Sequence, residues 1–311
     1  MSNVKGRITS LSAVALIVLL VCPAAAFAQA SHLLIVVGLA GDPEYGQLFE
    51  KWATTLATTA VERLNVPRSQ VSTLSGDAAT RANVEQAISA LAAASRPDDT
   101  VMIVLIGHGT FDGSTAKFNL PGPDITPADF APLLARLKDE RVVFVNTASA
   151  SGPFVDALKG PGRVVAAATR NGAEKYATLF GGPFVEAFGS EAADTNRDGT
   201  VTILEAFEFA KQQVEAAFAR EGTMQTEHAT IDDTSHAALV SLGQLRPVAQ
   251  PADEKVRALY AERRDLERRI ESLKLLKDRM DPDKYAAELE RLATDLAETS
   301  RKIREAEGKD T

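Results

Sequence analysis

The run Thr100–Ile106, TVMIVLI, constrains the fold of this chain more than any other sequence feature. It is apolar and rich in β-branched residues, without the alternation that marks a strand with one solvated face. Similar runs occupy residues 32–38, 142–146 and 163–169, and helical patterns separate them. Strands buried on both faces between helices belong to a mainly parallel sheet. We therefore predict an α/β fold, a three-layer sandwich formed by residues 31–245.

Helical periodicity predicts helices over residues 47–64, 81–94, 126–137 and 203–218 of this domain, and residues 70–74 can form a further strand. The chain has no GxGxxG after its first strand and no GxxxxGK[ST]. A nucleotide-binding function therefore has little support from the sequence.

Beyond residue 251 the chain becomes rich in charged residues and keeps two apolar stripes with helical spacing. The first stripe comprises Val256, Leu259, Leu266, Ile270 and Leu273, and the second comprises Tyr285, Leu289, Leu292, Leu296 and Ile303. The sequence Asp281-Pro282-Asp283 interrupts the pattern between them. We predict an antiparallel, coiled-coil-like helical hairpin over residues 252–307, packed on itself or on the main domain. The alternative is an arm for dimerisation or partner docking.

The first thirty residues have the pattern of a secretory signal peptide. Lys5 and Arg7 precede an apolar run at 14–21, and small residues at 24–30 offer cleavage after Ala28 or Ala30. We therefore expect residues 1–30 to be removed and the protein to be exported to the periplasm or secreted. A membrane anchor is the alternative, but the run is shorter than the ~20 residues of a stable span. A lipoprotein signal at Cys22 is less favoured, because bulky Val21 precedes the cysteine.

Removal of the signal peptide also limits the chemistry of the mature chain. Cys22 is the only cysteine, so the mature chain would contain no disulfide, thiolate ligand or cysteine nucleophile. Losing Lys5 and Arg7 would take the net charge from −8 to −10. An acidic chain without a basic stripe is not expected to bind nucleic acid.

Two polar, glycine-containing turns follow consecutive predicted strands of the sheet. One is Gly107-His108-Gly109, and the other runs from Asn146 through Ser149 to Gly152. Ligands and catalytic groups of such sheets lie at the carboxyl ends of adjacent strands. We therefore predict that His108 and Ser149 face one cleft.

These two turns resemble motifs of the caspase-like cysteine peptidases, and among them the bacterial relatives of legumain, the C13 family. His108-Gly109 matches the family's His-Gly pair. Residues 147–152, TASASG, match its acidic–small–Cys–any–Ser-Gly turn, with Ser149 in the cysteine position and Thr147 in the acidic one. The resemblance covers residues 33–233 and implies a caspase-like fold. It also implies that residues 166–178 help to form the primary specificity pocket, whose candidate residues are Thr169, Arg170, Asn171 and Glu174.

Serine in place of cysteine changes what this site can do. A thiol can ionise near neutral pH, whereas a serine hydroxyl needs a general base within hydrogen-bonding distance and usually a third, orienting group. We therefore expect a pseudo-peptidase that binds protein or peptide in the cleft or acts as a scaffold. The alternative is a peptidase-like hydrolase with Ser149 as nucleophile and His108 as general base.

An α/β-hydrolase is a competing enzyme class. Its G-x-S-x-G motif is absent around Ser149, which has alanines on both sides, although Asp232 or Asp233 followed by His236 would complete the order of its triad. His228 is a further polar residue that we expect near the cleft, or else an ordinary loop histidine.

Residues 194–205, DTNRDGTVTILE, match the calcium-loop pattern D-x-[DN]-x-[DN]-G-x5-E in full. The predicted ligands of a structural Ca²⁺ are Asp194, Asn196, Asp198, the carbonyl of Thr200, and Glu205. Extracellular sites of this kind have dissociation constants of roughly 10⁻⁴–10⁻³ M. The alternative is a metal-free segment, in which Thr202 and Glu205 form only a capping box for the following helix.

Overall fold

The computed structural model describes residues 29–137, 141–246 and 253–307. Residues 1–28, which carry most of the predicted signal peptide, lie outside the described residues. None of the described helices is long and apolar enough to cross a membrane.

Strands and helices alternate through the described residues between 29 and 246. The described strands are β1 (Ser31–Val37), β2 (Val71–Leu74), β3 (Thr100–Ile106), β4 (Gly109–Phe111), β5 (Ala116–Phe118), β6 (Arg141–Asn146), β7 (Arg163–Ala167), β8 (Thr200–Thr202), β9 (Thr230–Ile231) and β10 (Ser241–Gln244). The described α-helices are α1 (Pro43–Glu62), α2 (Arg81–Ala94), α3 (Pro127–Leu134), α4 (Gly152–Leu158), α5 (Gly181–Ala187), α6 (Ile203–Glu221), α7 (Thr234–Ala237), α8 (Glu254–Leu275) and α9 (Pro282–Ala306).

The central sheet has six strands in the order β2-β1-β3-β6-β7-β9. All neighbours are parallel except β9, which pairs antiparallel with β7. All seven side chains of β3 are buried, as its uninterrupted apolar sequence predicts. Because β3 and β6 are adjacent and parallel, the turns that follow them lie at the same edge of the sheet.

Helices cover both faces of the sheet. One hydrophobic core joins the sheet to α1, α5 and α6, and the other joins it to α2, α3 and α4. The prediction of a three-layer α/β sandwich with a mainly parallel sheet is therefore confirmed.

The C-terminal helices α8 and α9 pair along their apolar stripes, as predicted. Leu266, Leu273 and Leu292 form a small core of their own between the two helices. A 3-10 turn, Lys277–Arg279, joins the helices, and Pro282 occupies the first turn of α9. Just before the turn, Leu275 and Leu276 are buried in the core that contains α1, α5 and α6. The hairpin therefore packs both on itself and on the sandwich.

Candidate functional site

His108 lies two residues after the end of β3 and is held in an aromatic environment. Its ring packs edge-on against Tyr45, with a centroid distance of 4.6 Å, and against Phe49 at 5.1 Å. The ring also hydrogen-bonds to the backbone of Ala40. Burial lowers the pKa of His108 below its usual value, against the opposing effects of that hydrogen bond and of Asp42. The imidazole is therefore neutral at neutral pH, which suits a proton acceptor.

Ser149 lies in the turn after β6 and is only 4% exposed. Its hydroxyl donates to the carbonyl of Gly109 at 3.0 Å and accepts from the N–H of Gly109 at 3.2 Å. This close approach requires glycine at position 109, because a Cβ there would lie 2.2 Å from the carbonyl oxygen of Ser149. The turn after β3 and the turn after β6 are thus joined through the serine.

No hydrogen bond joins His108 to Ser149 among the described residues. The serine contacts the backbone of the residue next to His108, and its proton is directed to the Gly109 carbonyl. A general base must be within ~3 Å of the proton that it accepts, or linked to it by one water molecule. In this arrangement the hydroxyl is held in place and is not activated.

Short contacts connect the Ser149 turn to the segment predicted as the pocket. Ala150 adopts a left-handed φ of 55°, and its N–H donates to the carbonyl of Glu174 at 2.8 Å. The hydroxyl of Thr169 accepts from the N–H of Gly152 at 2.9 Å and is fully buried. Thr169 therefore joins the turn after β6 to the segment after β7.

The other three predicted pocket residues lie nearer the surface. Arg170 and Asn171 are exposed, and the side chain of Asn171 accepts from the N–H of Ala173. Glu174 accepts from the N–H groups of Arg170 and His228. These contacts give the loop a fixed shape beside Ser149.

Glu174 also pairs with His228. The Nδ1 of His228 lies 2.8 Å from Oε1 of Glu174, and the imidazole is 41% exposed while the carboxylate is 12% exposed. Such a carboxylate fixes the orientation of the imidazole that it contacts. The expectation that His228 lies near the cleft agrees with this link to the loop beside Ser149.

Glu227 is a buried acid outside all of the sites predicted from the sequence. It is 2% exposed and accepts from the N–H groups of Leu179 and Phe180 at 2.7 and 3.0 Å. Burial raises its pKa to about 8, against these two hydrogen bonds and the nearby charge of Arg279. A glutamate between two other polar residues in a loop gives no sequence signal of burial.

The residues of the α/β-hydrolase alternative do not join Ser149 among the described residues. Asp232 accepts from the N–H of Val165, in the middle of β7, and Asp233 caps the short helix α7. Neither carboxylate hydrogen-bonds to the ring of His236. Ser149, Asp232 or Asp233, and His236 therefore have the sequence order of an α/β-hydrolase triad, but in the fold the described residues do not form one.

The segment 194–205 forms a compact loop closed by its own side chains. Arg197 and Gly199 have φ of 59° and 82°, and the carboxylate of Asp194 accepts from the N–H groups of Asp198 and Gly199. Glu205 accepts from Thr202 in a capping box and from Thr195 at the other end of the loop. Although burial opposes it, these hydrogen bonds hold the pKa of Glu205 below its usual value.

The donors of this loop are all oxygens, which is the ligand type that Ca²⁺ takes. Among the described residues, no group of three or more His, Cys, Asp or Glu side chains is arranged to hold a metal ion. The predicted set includes an amide and a backbone carbonyl besides its three carboxylates. Calcium binding therefore stays a prediction.

The family model described as the peptidase C13 family matches residues 43–238 of the chain. No curated protein matches the chain. Among solved structures, the chain is similar to protein GSU0716 from Geobacter sulfurreducens, at a TM-score of 0.45 and 16% identity, over 65% of this chain and 92% of that one. It is also similar to caspase-1 from Spodoptera frugiperda, at a TM-score of 0.43 and 13% identity, over 66% and 87% of the two chains. The similarity to the Drosophila initiator caspase Dronc has a TM-score of 0.39 and 11% identity, over 70% and 81%.

Proposed function

The chain belongs to the peptidase C13 family, and from this premise we propose that it is a member without peptidase activity. Its role is to bind protein or peptide at the strand ends, as a binding or scaffolding protein. Ser149 takes the position of the family's cysteine in this proposal, and His108 that of its histidine.

The observation that carries this proposal is the bonding of the Ser149 hydroxyl. It donates to the Gly109 carbonyl and accepts from the Gly109 N–H, so both of its described hydrogen bonds are with backbone atoms. A serine nucleophile must instead give its proton to a base. Activation would require the side chain to leave both bonds and His108 to leave Ala40.

A binding role has separate support from exposed apolar side chains. Leu39 follows β1 and is 52% exposed, while Tyr176 and Met224 are 54% and 84% exposed. Tyr176 and Met224 lie in the two loops that the Glu174–His228 pair joins. Exposed apolar side chains on loops beside a cleft are available to contact a partner.

The test is labelling of the purified mature protein with a serine-reactive phosphonate. We expect no labelling at Ser149, with an active serine peptidase as the positive control in the same experiment. Labelling of the wild type that disappears in Ser149→Ala would overturn the proposal and favour the hydrolase alternative. The Ser151→Ala variant is the matched control, because Ser151 lies two residues away and bonds to Thr169 instead.

We also propose export, with cleavage after Ala28. Gln29 and Ala30 make contacts that cleavage after Ala30 would remove, since the Ala30 N–H donates to Asp99 and the Gln29 amide donates to Thr100. The intact mass of the protein recovered from its native compartment tests this proposal. A mature chain that begins at Ser31, or one that keeps residues 1–28, would contradict it.

Calcium binding by the 194–205 loop is the third part of the proposal. Asp194, Asn196, Asp198, the Thr200 carbonyl and Glu205 would hold the ion, which would serve a structural role. The support is the full sequence match together with left-handed backbone at the loop glycine, Gly199.

A further inference from the structure

Arg279, at the tip of the helical hairpin, reaches into the sandwich. Its Nη1 donates to the hydroxyl of Thr226 at 2.8 Å, and its Nη2 donates to the carbonyl of Ala177 at 2.6 Å. The guanidinium carbon lies 4.9 Å from the ring centroid of Tyr176 and 5.7 Å from that of Phe218. Two acceptors and two aromatic rings thus surround one guanidinium group.

Every one of these partners belongs to the sandwich, and the hairpin supplies only the arginine. We call the site the arginine pocket and define it by Tyr176, Ala177, Phe218, Thr226 and Glu227. Aromatic faces and a carbonyl oxygen suit the planar, delocalised guanidinium better than a compact ammonium group. The pocket therefore has the chemistry of an arginine site.

Glu227 adds an acidic group to the inner side of the pocket. The electrostatic interaction between Glu227 and Arg279 affects both groups: it lowers the pKa of the acid and raises that of the guanidinium, although burial outweighs it in each case. Because its pKa is raised to about 8, Glu227 is largely protonated at neutral pH and favours a positively charged occupant only as the pH rises through that value. At neutral pH the aromatic faces of Tyr176 and Phe218 supply the preference for a cation.

The arginine pocket is connected to the Ser149 turn. Its wall, Tyr176–Ala177, lies between Glu174, whose carbonyl accepts from the Ala150 N–H, and Thr178, whose hydroxyl donates to the Thr147 carbonyl. On the other side, Tyr45 packs on His108, and burial chiefly raises the pKa of Tyr45, with a smaller contribution from Asp278 and an opposing one from Arg279. The tip of the hairpin therefore lies at the cleft formed by the strand ends.

Arg279 can leave the pocket without release of the hairpin. The hairpin is anchored by Leu275 and Leu276, which precede the 3-10 turn and are buried in the main core. Arg279 itself is only partly buried, and the Tyr176 ring that covers it is 54% exposed. Rotation of one long side chain is enough to empty the site.

We propose that the arginine pocket recognises an arginine side chain of a partner protein or peptide, and that Arg279 is its internal occupant. This inference rests on the proposed binding function of the cleft and specifies the chemistry of its partner. An internal ligand competes at a high effective concentration, so an external arginine binds only weakly while Arg279 is present.

The test uses the full mature chain and the peptide acetyl-Gly-Arg-Gly-amide, with binding measured by calorimetry. We expect Arg279→Ala to bind this peptide at least about tenfold more tightly than the wild type, because the internal competitor is gone. Arg301→Ala is the matched control, since Arg301 is an exposed arginine of α9 that pairs with Glu305. It should bind the peptide as weakly as the wild type.

Two further measurements separate recognition of arginine from general opening of the surface. Peptides with lysine or citrulline in place of arginine should bind Arg279→Ala about tenfold more weakly. Lysine lacks the planar guanidinium group, and citrulline lacks its charge. Adding Tyr176→Ala to the variant should remove the gain. If Arg279→Ala fails to fold, Arg279→Gln takes its place in each comparison.

Equal affinity of the folded variant and the wild type for the arginine peptide would overturn the inference, as would equal binding of the three peptides. Phosphonate labelling at Ser149 reports on the proposed function independently of these affinities. A labelled Ser149 with a selective arginine pocket would refute only the inactive role, whereas an unlabelled Ser149 with no gain in affinity would refute only the arginine site.

Discussion

At the scale of single residues, the Ser149 hydroxyl is a structural group. It bridges both backbone groups of Gly109 and so fixes the distance between the turns after β3 and β6. Each such bond has a net value of roughly 1 kcal/mol, and an unsatisfied partner costs more. Both bonds therefore stabilise the loops of the cleft.

Ser149→Cys provides a direct measure of how accessible this position is. Residue 149 is 4% exposed, and the mature chain would have no other thiol. We expect the new thiol to react with a disulfide reagent at least about a hundredfold more slowly in native protein than in urea. A matched Ser114→Cys variant, in the exposed β4–β5 turn, should react at similar rates in both states. Comparable native rates at the two positions would show that the cleft is open around residue 149.

Glu227 should make stability depend on pH. Its pKa is raised from 4.5 to about 8 in the folded protein, so the folded state holds the proton more tightly than the unfolded chain does. The resulting stabilisation is fully present below about pH 4.5 and is lost as the pH rises through about 8. Its total is on the order of a few kcal/mol.

The Glu227→Gln variant tests this dependence, because its side chain cannot ionise. Relative to the variant, the wild type should lose stability between pH 5.5 and pH 9 in urea unfolding. The charged neighbours Arg279 and Glu174 are present in both proteins. A stability difference that stays constant over this range would contradict the raised pKa.

At the scale of elements, the sequence predicted the helices and strands that are long enough to show a periodic pattern. The helix over 81–94 was predicted at its observed bounds, since Thr80 caps it and apolar residues recur along one face. The first helix starts four residues earlier than predicted, because Asp42 caps it and Pro43 occupies its first turn. The three-residue strands β4 and β5 were missed, as they are too short to show a period.

The candidate site was predictable only in part. The position of His108 and Ser149 after neighbouring strands follows from strand order. The direction of the Ser149 hydroxyl depends on a side-chain rotamer, which the sequence does not encode locally. The arginine pocket joins residues 176, 226 and 279, and only the folded chain brings such distant positions together.

The 194–205 loop should respond to calcium through Asp198. The Asp198→Asn variant removes one ligand charge, while its Oδ1 can still accept from the Thr200 N–H and only the exposed hydrogen bond from the Asn196 amide to Oδ2 is lost. If the loop binds the ion and the unfolded chain does not, the wild type gains ~2.7 kcal/mol at a hundredfold excess of Ca²⁺ over Kd. The melting temperature of Asp198→Asn should rise much less.

Glu205→Gln is less suitable for this comparison. Its carboxylate bonds both to Thr202 in the capping box and to Thr195 across the loop, so the substitution weakens the loop even without metal. Wild-type and Asp198→Asn proteins should melt at similar temperatures in chelator. A wild-type melting curve that is the same in chelator and in millimolar Ca²⁺ would exclude the metal site.

At the scale of the whole molecule, the hairpin and the sandwich share one hydrophobic core. Leu276 is fully buried among residues of the sandwich, and Arg268 of α8 hydrogen-bonds to Glu186 and Gln213. The hairpin also keeps its own core around Leu292. Loss of the hairpin therefore affects the sandwich as well as the tail.

Leu276→Ala should lower the free energy of unfolding by about 2–5 kcal/mol, the usual cost of a cavity at a fully buried leucine. Deleting residues 253–307 should cost at least as much, because it also removes Leu275 and the Arg268 contacts. Leu259→Ala, at a partly exposed position of α8, is the control and should cost less. A truncated protein that unfolds at the wild-type urea midpoint would show that the sandwich is independent of the hairpin.

Because Leu275 and Leu276 are buried in the larger core, this core can finish folding only after the hairpin has been synthesised. Every other buried residue of the larger core precedes them in the chain, so they are the last of its members to leave the ribosome. At ~5–20 residues per second, the nascent sandwich waits for several seconds with an apolar surface that nothing of its own yet covers. That interval is when a chaperone can hold the chain or two chains can associate wrongly, and it ends only when the hairpin has been synthesised.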